Sequence, residues 1–177
     1  MTELAHTPSA APADALPLGP ESLVWRYFGD NPMFLTGPRP AVLQNMLAEL
    51  GQGVLDHSVF FDDTAARVKR SLPPIFNTVY GDEEDHPGQQ VRDFHLGIKG
   101  NMADGKRYHV LDPDTYFWAH ATFVEQVLYF ADTFVNRLTL AEKERIYLES
   151  KTWYRRYGVS ERAMPADYAE FERYGTQ

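Results

Sequence analysis

The chain has 177 residues, enough for one domain with a sizeable core, and its composition of 44% apolar and 14% aromatic residues is that of a globular protein. A net charge of −8 leaves no basic footprint for a nucleic-acid backbone. The absence of cysteine removes disulfides, thiolate metal sites, Fe–S clusters and a cysteine nucleophile together, and it fits a cytoplasmic, reducing location.

Residues 1–18, rich in Ala, Pro and Thr, read as a flexible tail with no secretory signal, since Glu3 comes early and no apolar segment follows. A single helical domain is expected over 19–177. It opens with a short helix over 20–28, closed by Gly29, Asp30 and Pro32. Pro40 suits the first turn of the next helix, whose apolar spacing predicts an inner face of Val42, Leu43, Met46, Leu47 and Leu50. Gly51 and Gly53 loosen its end.

Asp62 or Asp63 is a natural N-cap for the following helix. Pro73 and Pro74 predict a kink or break within it, and Gly81 ends its second piece. The acidic run over 82–85 suits a helix N-terminus. A helix is predicted over 86–99, stopped by Gly100. Asp104-Gly105 marks the turn of a small hairpin near 101–112.

The most apolar window predicts a buried helix over 113–136, capped by Asp112 or Asp114. Glu125, Gln126 and Asp132 inside it argue against a membrane span, and the buried polar groups need partners. Thr139 and Glu142 form a capping box for a helix over 140–156. A last short helix is expected over 165–173. Period-2 alternation is nearly absent, so the class is all-α: an irregular multi-helix bundle around one central helix.

Three groups carry candidate chemistry. Arg92, His95 and Lys99 fall on one helical stripe, where two cations would favour a neutral, metal-competent imidazole or pair with the carboxylates of a bound group. A surface histidine is the bland alternative. Arg67, Arg70 and Ser71 form a basic cluster just before the Pro-Pro pair, either a solvated face or a lining aimed into a cavity. His120 sits on the apolar helix and reads as buried, a core residue more readily than a ligand. Nucleotide-binding glycine loops, a G-x-S-x-G elbow, zinc spacing and an EF-hand loop do not occur in the sequence.

Together the stretches "SLVWRYFGD", "GVLDHSVFFDD", "RVKRS", "VRDFHLGIKG", "RYHVLDPDTYFWAHATFVE", "LTLAEKERIYLE" and "YGVSERAMPADYAEFERY" resemble the haem-dependent rubber oxygenase (latex-clearing protein) family. That family includes the ER-bound oxygenase of mycophenolic acid biosynthesis. The resemblance runs through most of the chain, and its most specific parts are R-x-x-H-x-x-[IV]-[RK] and W-x-H-A-T. It implies an all-α fold, haem b, and an oxygenase acting with O2 on a small apolar, isoprenoid-like substrate.

It also implies His95 as the axial iron ligand, with Arg92 and Lys99 beside it. The family's R-x-x-K-T cluster matches Arg67, Arg70 and Ser71, where Arg70 replaces a lysine and Ser71 a threonine. Arginine is a very poor iron ligand because it stays protonated. His120 matches the W-x-H histidine and is expected to be structural or to support the cofactor. Family domains run several helices further, so the resemblance implies a short member, a fragment or a degraded relative, whose missing wall would leave the pocket open and could require a second copy of the chain. The competing readings are a non-catalytic helical domain and a haem-binding protein without turnover.

Overall fold

A computed structural model describes residues 14–58 and 63–175. Eight α-helices are found among them: α1 (Leu23–Phe28), α2 (Pro38–Asn45), α3 (Ala48–His57), α4 (Thr64–Tyr80), α5 (Pro87–Asp93), α6 (Pro113–Phe130), α7 (Leu140–Arg155) and α8 (Tyr168–Tyr174). The strands β1 (Lys99–Asn101) and β2 (Arg107–His109) form one small antiparallel hairpin. The fold is all-α, as the sequence predicts.

Helix α6 is the axis of the bundle. Asp112 caps it by accepting from the Asp114 N–H, and Pro113 occupies its first turn. Helices α1, α2 and α7 pack around it. The core is aromatic: Phe28, Phe117, Trp153 and Tyr154 are almost fully enclosed. Such rings bury large areas and meet edge to face, as Phe28 and Trp153 do at 4.7 Å. The helix continues as a π-helical turn, Ala131–Val135, and residues 133–136 are exposed.

The polar residues of α6 find partners. Arg39 of α2 grips Glu125 with two bonds of 2.9 and 2.6 Å while lying over the Tyr129 ring. The buried Gln126 amide donates to the Thr36 hydroxyl. Helix α7 starts with the expected capping box, Thr139 with Glu142. Its buried Glu149 accepts from the Val24 N–H at 2.9 Å, which ties it to the start of α1.

Several expectations are corrected. The helix placed after Pro40 is two helices, because Leu47 is extended (φ −79°, ψ 122°). Gly51 and Gly53 therefore lie inside α3. Val42 and Met46 are 63% and 72% exposed and do not form an inner face. Trp118 and Gln44 hold α2 on α6 instead, through the Leu43 and Ala119 carbonyls.

Pro73 and Pro74 do not break α4, which runs unbroken past both. Two prolines remove only the bonds to the Lys69 and Arg70 carbonyls. Packing of Thr78 and Val79, both fully buried, holds the C-terminal half. Asp63 is the cap, accepting from the Ala66 N–H; Asp62 lies outside the described residues.

The tail is tied down from Asp14 onward. Leu16 bonds the Leu148 carbonyl, and Asp14 pairs with Lys151 and Arg155 at 3.1 Å each. Residues 1–13 lie outside the described residues.

Candidate functional site

The helix carrying the R-x-x-H motif ends earlier than predicted. Helix α5 stops at Asp93, and the chain tightens into i−3 bonds, His95 N–H to the Arg92 carbonyl and Leu96 N–H to that of Asp93. His95 therefore sits in a turn, and Lys99 is already in β1. The expected stripe of Arg92, His95 and Lys99 is broken. The pull comes from the hairpin: the Val110 N–H bonds the Ile98 carbonyl at 3.1 Å, which requires extended backbone there.

The turn still holds the imidazole firmly. The Nδ1–H of His95 donates to the Val91 carbonyl at 2.7 Å, so Nε2 keeps its lone pair. Tyr116 of α6 meets the ring edge to face, with centroids 6.1 Å apart and planes at 86°. Burial lowers the His95 pKa, and the Arg67 charge lowers it further against the Val91 carbonyl. The neutral form predicted for His95 is thus favoured, but by burial and Arg67 rather than by Arg92 and Lys99.

Arg67 lies half-buried on α4, its own pKa lowered by burial and by Arg70. Ser71 follows one turn later on the same stripe and is also half-buried. The Arg67 charge thus acts on His95, while Arg70 is exposed. Arg92 bonds Asp93 through Nε and Nη2 at 2.8 and 2.7 Å. Its Nη1 lies 3.2 Å from where a Cβ on Gly158 would stand, and Gly158 has φ +64°.

His120 is 3% exposed and belongs to the core between α6 and α7. Its Nε2–H donates to the Ser150 carbonyl at 3.2 Å, and the rings of Trp153 and Tyr154 stand 4.9 and 5.1 Å away. Its buried Nδ1 has no hydrogen-bond partner among the described residues, and burial pushes its pKa down to about 3. It lies behind Tyr116, linked through Tyr157 by ring contacts of 5.4 and 5.9 Å.

Gly88 and Tyr116 escape a reading of the sequence. A Cβ at Gly88 would run into the Arg156 carbonyl, so only glycine lets α5 dock against the end of α7. A glycine two residues into a helix is the signal that would have found it. Nothing local marks Tyr116, whose role depends on the packing of α6 against the turn.

No group of three or more His, Asp or Glu suited to a metal ion occurs among the described residues. A lone imidazole is too small a donor set for a bare transition ion. It is the usual donor set for a macrocycle that brings four nitrogens of its own. The arrangement fits such a group: one neutral, backbone-anchored nitrogen donor with a guanidinium nearby.

The fold is an all-α domain in which the His95 imidazole, half-buried in the turn after α5, keeps a nitrogen lone pair. Residues 25–177 match the model of the ER-bound oxygenase mpaB/B'/rubber oxygenase catalytic domain, and the chain belongs to that family. No curated protein and no solved structure matches it.

Proposed function

We propose that this protein is a haem-b-dependent oxygenase that acts with O2 on a small apolar, isoprenoid-like substrate. The observation that carries the reading is the His95 imidazole, whose Nδ1–H is bound to the Val91 carbonyl, leaving Nε2 as a donor. Family membership supports the oxygenase class.

His95 would hold the iron through Nε2. A backbone carbonyl on the other nitrogen fixes the tautomer and raises ligand basicity. Arg67 would bind a cofactor carboxylate or donate to an oxygen ligand, with the Ser71 hydroxyl as a second donor one turn on. Tyr116 limits rotation of the imidazole, and His120 supports Tyr116 from within the core. The haem supplies oxygen activation when bound. The residues of this chain would supply a nitrogen donor from His95 and positive charge from Arg67.

Titrating purified protein with haem tests the ligand. A Soret band that saturates at one haem per chain, and that is lost in His95→Ala, is the expected result. An identical band in His95→Ala would assign the iron to another residue. Oxygen uptake with a short polyisoprenoid then separates an oxygenase from a protein that only binds haem.

A further inference from the structure

We infer that the rim around His95 is a docking surface for an anionic lipid bilayer. The contact would be made by this rim; no helix among the described residues is long and apolar enough to cross a membrane. Entry of an apolar substrate directly from the lipid rests on the oxygenase reading above; the surface itself does not.

Phe94 and Leu96, the immediate neighbours of His95, are 66% and 54% exposed. Val68, next to Arg67, is 43% exposed. Scattered exposed apolar residues are ordinary, but Phe94 and Leu96 flank His95 in one turn, and Val68 lies on α4, which packs against α5. The hairpin extends the same surface. Tyr108 pairs with Gly100 and is buried, so the alternate residues Lys99, Arg107 and His109 point away from the core. The His109 Nε2 lies 3.3 Å from the Leu96 carbonyl, which joins the outer face of the hairpin to the apolar turn.

The charge pattern selects the partner. Most cations elsewhere are paired, as Arg39 is with Glu125, Arg156 with Glu83 and Arg162 with Asp114, while Arg26 of α1 lies over the Tyr27 ring. Lys69, Arg70, Lys99 and Arg107 form no ion pair among the described residues, and all four lie on α4 or the hairpin, the elements flanking His95. Asp93, next to Phe94 in the chain, is paired with Arg92. In a chain of net charge −8, four of the cations without an ion pair among the described residues thus lie on the elements that flank the exposed apolar turn. Basic side chains beside inserted aromatic and aliphatic ones are the chemistry of an anionic bilayer surface.

Co-sedimentation of the full chain with vesicles tests this. Phosphatidylcholine vesicles are compared with vesicles containing about one-third phosphatidylglycerol. Binding to the anionic vesicles at low salt is expected, weakened at least about tenfold by Lys99→Glu with Arg107→Glu and reduced again at high salt. Phe94→Ser with Leu96→Ser should weaken it independently, with far-UV circular dichroism verifying the fold of both variants. Absence of binding to the anionic vesicles, or undiminished binding by the charge-reversed variant, overturns the inference. So does a dimer in light scattering that Phe94→Ser with Leu96→Ser converts to monomer, because a second copy would then own the surface. Haem titration of the same samples keeps a failure here separate from a failure of the His95 reading.

Discussion

His95 and His120 share a chemistry and differ in what surrounds their second nitrogen. Each gives one N–H to a backbone carbonyl, and burial lowers the pKa of each. The ring of His120 is surrounded by Trp153, Tyr154 and Tyr157, and its spare nitrogen has no hydrogen-bond partner among the described residues. His95 is only partly covered, stands in a turn between exposed Phe94 and Leu96, and has Arg67 close by. A neutral buried imidazole is therefore not enough to mark a ligand. Access for a partner separates the two residues.

The contrast can be broken most forcefully at Trp153. Trp153→Ala opens the cage around His120 and is expected to cost about 3–5 kcal/mol of stability, read by urea unfolding. Haem uptake by the protein that remains folded should be unchanged. A large loss of affinity without unfolding would mean that the two histidines are not separable.

Gly88→Ala acts on the other region. It pushes α5 from the Arg156 backbone and should cost about 1–3 kcal/mol. It should also lower haem affinity at least about tenfold, since misplacing a ligand by an ångström is costly. Unaltered affinity would show that the docking of α5 does not position His95.

Acid sharpens the comparison further. A histidine whose folded pKa is depressed leaves the unfolded state binding more protons, so stability is complete above the ordinary value of about 6.5 and falls as pH drops below it. For His120, with a folded pKa of about 3, the loss extends from there towards pH 3, at up to about 1.4 kcal/mol per pH unit. His120→Phe should flatten this limb of a stability–pH curve. An equally steep limb in the variant would assign the acid sensitivity to other groups.

The smallest effect is expected from Arg67→Gln. Burial is the larger cause of the lowered His95 pKa and Arg67 the smaller. The pH at which haem is released should therefore rise only slightly, while haem affinity itself falls if Arg67 meets a carboxylate. A histidine titration followed by NMR, with and without the substitution, measures the first effect directly.

Much of this frame was legible in the residues. The Thr139/Glu142 box, the Asp63 and Asp112 caps and the apolar run of α6 are local signals that packing reinforces. The family motifs also pointed to His95 and Arg67, and the Arg67 charge helps to lower the His95 pKa. What could not be read depended on distant partners. The end of α5 at Asp93 is set by hairpin pairing, not by a glycine or proline at that point. The unbroken α4 depends on burial of Thr78 and Val79, which outweighs two lost backbone bonds. Exposure of Val42 and Met46 follows from the break at Leu47, which has no breaker residue beside it.

The most direct measurement replaces the His95 side chain and then supplies it from solution. His95→Gly should show no axially ligated haem spectrum, and adding free imidazole should restore the wild-type band. A His95→Gly protein that keeps the wild-type spectrum without imidazole would contradict the assignment of His95 as the iron donor.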